Sequence, residues 1–144
     1  MGMLLRTGWL LVLLVALCII LAPRACYAQK VGIVADDQTV ILCIVGEAED
    51  QGYEGMRAIA HGIRNRGMLK GVYGCKAPRV RRRLYSKNAY LQAEKAWKDS
   101  LSGKDVTFGA DHWENIKQFG KPYWVSGMKE TVKVKDHVFY RKAL

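Results

Sequence analysis

The sequence is short of acidic residues and lacks the common metal-binding patterns. Of its 144 residues, 13 are Asp or Glu against 23 Lys and Arg, which gives a net charge of +10. It has no His-Glu-x-x-His segment and no closely spaced cysteine pair, so we expect neither a metal nor a cofactor. Internal repeats and low-complexity tracts are also absent. The sequence as a whole is half apolar and a quarter charged, which is the composition of one modest globular domain.

The first 28 residues have the layout of a secretory signal. Arg6 supplies an early positive charge, an apolar core too short for a typical membrane span follows at 8–22, and small residues lead up to Ala28. We predict a signal peptide at 1–28 and the working domain at 29–144. An uncleaved membrane anchor at 4–22 is the alternative, although a span needs about 20 apolar residues. In both cases the protein is exported to the periplasm, the cell wall or the medium.

Removal of this leader leaves a basic protein with two cysteines. Two arginines and no acids leave with it, so the net charge falls from +10 to +8. A basic exported protein favours an anionic partner, such as cell-wall polymer, a phospholipid surface or extracellular nucleic acid. Cys43 and Cys75 remain in a compartment where disulfides form, and a bridge would contribute about 3–4 kcal/mol. Two unpaired residues, with Cys43 as part of an apolar run, are an equal alternative.

Three helices are predicted before residue 105. The apolar run Val40–Val45 continues into acidic residues, and we predict a buried helix that begins near Gln38 and whose acidic end emerges. Apolar residues at i, i+3, i+4 and i+7 predict a second helix, which ends at Gly67. The irregular basic stretch at 70–87 is predicted to be a loop. A third helix follows it and ends at Ser102.

A small β region is predicted after the helices. Aromatic residues and glycines dominate from Asp105 onward. Alternating apolar residues on both sides of Lys135 and Asp136 predict a hairpin near the C-terminus. Helices followed by a small antiparallel region define a single α+β domain.

Glu47 is the carboxylate best placed for chemistry. It follows the apolar run, and loss of hydration favours the protonated form of a carboxyl group. A protonated Glu can donate its proton to a leaving oxygen. From these residues alone, a solvated Glu at a helix end is the simpler explanation. A solvated face also explains Glu49, Asp50 and Glu54.

Ordered motifs along the chain resemble the SleB-type cell wall hydrolases, a family that includes spore-cortex lytic enzymes. The first block, Gly46–Arg66, contains Gly-Glu-Ala, Glu-Gly and Asn-Arg in the family's order. The second, Asp105–Asn115, matches its Asp-x-Thr-x-Gly-Ala segment with aromatics and Asn after it. Trp124 and the closing His137–Tyr140 follow in the expected order. The resemblance covers nearly all of 29–144, and the basic "GCKAPRVRRRLYSK" replaces a segment usual in the family.

The resemblance implies a lysozyme-like α+β domain that acts on peptidoglycan glycan strands, with the catalytic acid at Glu47. Family members are described as lytic transglycosylases, in which the muramic acid C6 hydroxyl attacks the anomeric carbon and leaves a 1,6-anhydro end. Such a reaction needs one carboxylate, whereas hydrolysis commonly needs two. Asp111 and Glu114 are the candidate partners for hydrolysis. A peptidoglycan-binding protein without catalysis is a further alternative, and we expect a monomer.

Further residues are candidates for binding the substrate. Aromatic side chains could stack on sugar rings or simply pack in the core, and polar ones could hydrogen-bond sugar hydroxyls or the N-acetyl group. The candidates are His112, Trp113, Asn115, Trp124, His137 and Tyr140. The run Arg79–Arg83 predicts a solvated loop or a contact with anionic wall polymer. Nucleic acid is not expected as a partner, because the run lacks interleaved aromatics.

Overall fold

The first helix, α1, lies at the centre of the fold. The computed structural model describes residues 35–143, and the predicted signal segment at 1–28 lies outside them. Helix α1 spans Asp37–Ala48, and the Asp36 carboxylate caps it by accepting the Thr39 N–H at 2.8 Å. Side chains on all sides of α1 are buried, as the unpatterned apolar run predicted. In residues 35–143, no helix has the length and apolar character needed to cross a membrane.

Two longer helices pack against α1. A 3₁₀ turn at Glu49–Gln51 leads into α2, Gly52–Arg66, which ends at Gly67 in a left-handed conformation with φ 72°. Helix α4, Lys87–Ser102, begins at Ser86, whose hydroxyl accepts the Ala89 N–H at 3.0 Å. The predicted apolar faces of both helices are buried. Their burial against α1 forms the main core.

The segment between α2 and α4 is more ordered than the predicted loop. It contains a 3₁₀ turn at Tyr73–Lys76 and a one-turn helix, α3, at Pro78–Arg81. Pro78 occupies the first position of α3, where its missing N–H has no cost and its fixed φ suits the helix. A disulfide joins Cys43 in α1 to Cys75 in the 3₁₀ turn. The segment is therefore attached to the central helix.

Three antiparallel strands complete the fold. They are β1, His112–Glu114, β2, Met128–Val134, and β3, His137–Lys142, in the spatial order β1-β3-β2. A one-turn helix, α5, at Ile116–Phe119 and a 3₁₀ turn at Tyr123–Val125 connect β1 to β2. The predicted hairpin is confirmed, with its turn at Lys135 and Asp136, whereas β1 is too short for its alternation to be recognised in the sequence.

His61 of α2 is a buried histidine that faces Asp105, in the segment before β1. Its side chain is 1% exposed, and its Nε2 has no hydrogen-bond partner. Burial lowers the pKa of His61, although the charge of Asp105, 3.7 Å from Nδ1, acts in the opposite direction. The folded protein therefore disfavours a charged imidazole here.

We expect stability to fall as the pH drops below about 6.5, the ordinary pKa of histidine. The unfolded chain binds more protons there than the folded chain, because burial also lowers the pKa of His137. Each histidine can contribute a slope of up to about 1.4 kcal/mol per pH unit. Urea unfolding between pH 5 and 8 measures it, and His61→Gln should flatten the dependence. Equal slopes for the variant and the wild type would contradict the assignment to His61.

Candidate active site

A cleft of about 940 Å³ opens where α1 ends, between the 71–79 segment and the β1 side of the sheet. Most of the residues that the sequence singled out line it: Glu47, His112, Trp113, Asn115, Trp124 and His137. Tyr140 does not line it, since its side chain is 2% exposed and packs edge-on against Trp124, with 5.6 Å between ring centroids. Tyr140 is thus a support for the cleft wall rather than part of its surface.

Glu47 is held at both carboxylate oxygens. It lies in the last turn of α1 and is half-buried, as the emerging acidic end of the helix predicted. Oε1 accepts the backbone N–H of Gly74 at 2.6 Å, and Oε2 accepts the indole N–H of Trp113 at 3.2 Å. Two donors from separate parts of the chain therefore fix the carboxylate at the cleft.

Trp113 is a core residue with one polar edge toward the cleft. It is 9% exposed, and its ring packs against Phe139 with 6.4 Å between centroids. A Cβ on Gly62 of α2 would lie 2.8 Å from the ring, so only glycine allows this approach. The guanidinium of Arg66 lies 5.5 Å from the ring centroid on the cleft side. Of the two roles that the sequence left open for Trp113, packing is the one the geometry favours.

More exposed aromatic rings form the outer part of the cleft. Trp124 is half-buried and contacts the His112 ring at 5.6 Å, and the Asp111 carboxylate lies 2.7 Å from His112 Nδ1. Phe119 and Tyr73 also line the cleft, although they are 70% and 81% exposed. Neither was singled out from the sequence, because an exposed ring on a short turn leaves no periodic signal.

Two further polar residues approach Glu47. His137 is 4% exposed with no partner at Nδ1, and burial lowers its pKa while the charge of Glu47 acts to raise it. Burial raises the pKa of Glu114, the nearby charge of Glu47 adds to that effect, and a hydrogen bond from the Asn115 N–H opposes it. Glu114 lines the cleft, whereas Asp111 is not among the residues that do.

Asn115 has a structural role besides lining the cleft. It is 9% exposed, and its Oδ1 accepts the Gln118 N–H at 3.0 Å, which caps α5. The cap holds the turn that carries Phe119. The predicted contact of Asn115 with substrate stays a prediction.

Basic residues of the 71–79 segment form the wall of the cleft that faces the sheet. Lys76 and Arg79 line this wall, and Arg79 Nη1 lies 3.3 Å from Glu49 Oε2, whereas Arg66 lines the cleft beside Trp113. The rest of the arginine run, 81–83, is exposed and lies outside the cleft lining. Within the run that was predicted to be a solvated or wall-binding loop, Arg79 therefore lines the cleft.

The two sequence blocks meet through Asn65. Its Nδ2 donates to the Ala110 carbonyl at 2.9 Å, to Asp105 Oδ2 at 2.9 Å and to Thr107 Oγ1 at 3.1 Å. Asp105 in turn accepts the N–H groups of Thr107 and Gly109. This network fixes the segment that leads into β1, which carries the cleft residues at 112–115.

In the part of the chain that the structure describes, no cluster of three or more His, Cys, Asp or Glu side chains could hold a metal ion. The described side chains around the cleft include aromatic, basic, amide and carboxylate groups, among them the Glu47 and Glu114 carboxylates.

The class defined by these elements is a single α+β domain whose fold is similar to that of solved SleB catalytic domains. The catalytic domain of Bacillus cereus SleB is similar, with a TM-score of 0.58 at 20% identity, over 80% of this chain and 99% of that one. The catalytic domain of the germination-specific lytic transglycosylase SleB from Bacillus anthracis gives 0.56 at 23%, over 81% and 98%. No family model and no curated protein matches the chain. The similarity confirms, as a fold, the likeness predicted from the motifs.

Replacing Asn65 with Ala should destabilise the protein by about 1–3 kcal/mol, because the buried polar groups of Thr107 and Ala110 lose their shared donor. Chemical denaturation measures the loss. Asn88→Ala is the matched control, since Asn88 is exposed on the first turn of α4. An Asn65 variant as stable as the Asn88 variant would show that the network does not hold the segment.

Proposed function

We propose that this protein is an exported enzyme that cleaves the glycan backbone of peptidoglycan, with Glu47 as its general acid and base. The observation that carries the proposal is the Glu47 carboxylate, fixed by two N–H donors at the cleft. The solved domains of the same fold include one described as a lytic transglycosylase, which supports a glycan substrate.

The chemistry of the cleft walls fits this polymer. Exposed aromatic faces, such as Trp124 and Phe119, suit the C–H faces of sugar rings, and the basic residues opposite suit carboxylates. Peptidoglycan offers both groups, because its muramic acid carries a lactyl carboxylate or a peptide stem. A neutral polysaccharide would offer no anionic group to Lys76.

The proposed reaction is a lytic transglycosylation. Protonated Glu47 gives its proton to the glycosidic oxygen, and the bond between that oxygen and the muramic acid C1 breaks. The C6 hydroxyl of the same sugar attacks C1, and its proton passes to the Glu47 carboxylate, which restores the acid. The products are a 1,6-anhydro-muramyl end and a free C4 hydroxyl on the neighbouring sugar. The N–H groups of Gly74 and Trp113 stabilise the carboxylate between the two proton transfers.

Hydrolysis is the second candidate outcome, and the position of Glu114 favours it. Glu114 lines the same cleft and feels the charge of Glu47. A second carboxylate of this kind could activate water in an inverting reaction or stabilise a cation in a retaining one. Of the two candidates that the sequence left open, Asp111 and Glu114, we favour Glu114 because it lines the cleft.

Export through the predicted signal at 1–28 would bring the enzyme to its substrate, and we propose that it acts as a monomer in the periplasm, in the cell wall or outside the cell. Membrane attachment would require the segment at 4–22 to remain uncleaved. A protein that only binds peptidoglycan is the competing proposal, and loss of activity on changing one carboxylate distinguishes the two.

Glu47→Gln should reduce the clearing of purified cell walls by about 10²–10⁴-fold, the usual contribution of a general acid. Mass spectrometry of the wild-type products should show 1,6-anhydro ends. Glu54→Gln is the matched control, because Glu54 is an exposed carboxylate that pairs with Lys135 at 2.9 Å, away from the cleft lining.

Undiminished clearing by Glu47→Gln would show that the acid is elsewhere. Products with only hydrated reducing ends would replace transglycosylation by hydrolysis, and Glu114→Gln should then abolish activity. An absence of any new ends with wild-type protein, together with tight binding to walls, would favour the non-catalytic alternative.

Changing Arg81, Arg82 and Arg83 to Gln should weaken binding to cell walls by roughly fivefold to tenfold at low salt, and much less at high salt, because exposed charges are screened. Pelleting with sacculi measures the bound fraction. Changing Lys104, Lys129 and Lys133 to Gln removes the same charge from exposed positions elsewhere. Equal weakening in both variants would assign the effect to net charge rather than to the arginine run.

A further inference from the structure

We propose that the Cys43–Cys75 disulfide and the backbone of Gly74 form a positioning device for the Glu47 carboxylate. The inference rests on the proposed function in that Glu47 is taken as the reacting acid. Neither cysteine touches the substrate, and both act through Gly74. The activity should therefore depend on whether this one disulfide is formed.

The geometry links the three groups directly. Cys43 and Glu47 are four residues apart in α1 and so lie on the same face of the helix. Gly74 precedes Cys75, and its N–H donates to Glu47 Oε1 at 2.6 Å. The disulfide therefore closes a ring that contains the donor and the acceptor of this hydrogen bond.

The two backbones also touch without any intervening side chain. A Cβ on Gly74 would lie 2.4 Å from the Cys43 carbonyl oxygen and 2.5 Å from the Glu47 nitrogen. A Cβ on Gly46 would lie 1.9 Å from the Gly74 carbonyl oxygen. Both positions need glycine because of space, which brings the Gly74 N–H within reach of the carboxylate.

Besides this packing, few hydrogen bonds fix this part of the chain. The 3₁₀ turn at Tyr73–Lys76 is short and partly exposed, and its local support is a backbone bond from Ala77 to Gly74 at 3.1 Å. The next side-chain attachments to α1 and its following turn are through Glu49, which bonds Arg79 and the Ser86 N–H. Because hydrogen bonds weaken steeply with distance and angle, loss of the disulfide should weaken the Gly74 bond first.

Apart from replacement by proline, no side-chain change removes a backbone N–H, so the disulfide is the part of this device that can be switched without changing the sequence. Dithiothreitol reduces it to two thiols by a two-electron, two-proton transfer and is itself oxidised to a cyclic disulfide. In the reduced protein, Glu47 would keep Trp113 as a donor and lose a fixed partner at Oε1. The chain would then be a poor enzyme until it reaches an oxidising compartment.

The indole N–H resonances of the full chain provide a test that does not depend on activity. Trp113 Nε1 donates to Glu47 at 3.2 Å, whereas Trp97 Nε1 donates to Asp37 at 2.8 Å, at the other end of α1. In ¹H–¹⁵N spectra assigned with Trp→Phe variants, reduction or the C43A/C75A change should shift the Trp113 signal and leave that of Trp97 in place. Release of soluble glycan products should fall by roughly tenfold to a hundredfold, the effect of a lost hydrogen bond to a charged group.

Reoxidation of the reduced wild type should restore both the signal and the rate, and reductant should change nothing in C43A/C75A. Gly74→Ala should reproduce the shift, while Gly103→Ala, whose Cβ would meet the Asp99 carbonyl oxygen at 2.7 Å at the end of α4, should lower stability alone. Unchanged Trp113 signal and rate after thiol titration has verified reduction would overturn the proposal.

Equal movement of the Trp97 and Trp113 signals would also overturn it, because the bridge would then only stabilise the helix as a whole. Two free thiols in protein purified without reductant would remove its basis. Failure of the proposed function has a different signature, since Glu47→Gln would then keep full activity while reduction could still shift the Trp113 signal.

Discussion

The contact between the backbones of Gly46 and Gly74 is the constraint on which the site depends. It lets a surface segment lie directly on the end of the central helix, at a distance that any Cβ would prevent. Because the segment lies there, a main-chain N–H reaches Glu47, and the side chains around it form one wall of the cleft. The opposite donor, Trp113, depends on a second glycine, Gly62 of α2, in the same way. The carboxylate is thus held from two sides by close backbone packing.

The order of the sequence motifs also has a physical basis. The first block supplies Glu47 and, one helix later, Asn65, and the second supplies the segment to which Asn65 is bonded. Fixing that segment sets the start of β1, and β1 carries Trp113 back to Glu47. The two blocks are therefore joined by contacts at Asn65 and at Glu47, which explains why residues so far apart along the sequence define a single site.

Much of the fold could be predicted from the sequence, because its helices carry strong local signals. The apolar run at Val40–Val45, the i, i+4 pattern of α2 and the alternation around Lys135 each reflect burial against one core, and all three elements are present. Strand β1 and the turns at 73–81 could not be predicted, since they are short and depend on partners distant in the chain. For the same reason, the requirement for glycine at position 74 could not be predicted. It comes from the close approach of α1, which the local sequence of a basic loop does not show.

The proposed acid and the basic wall of the cleft lie on different parts of the chain. Glu47 belongs to a helix that is buried on all sides, where neighbouring side chains leave little freedom to move. The basic wall, by contrast, belongs largely to the segment at 71–79, which has few buried side chains and overlaps the basic stretch GCKAPRVRRRLYSK. Such a segment can change its charge without disturbing the core, provided that glycine is kept at 46 and 74. Under the proposed function, a change in this wall would alter the preference for anionic or neutral strands and leave the acid in place.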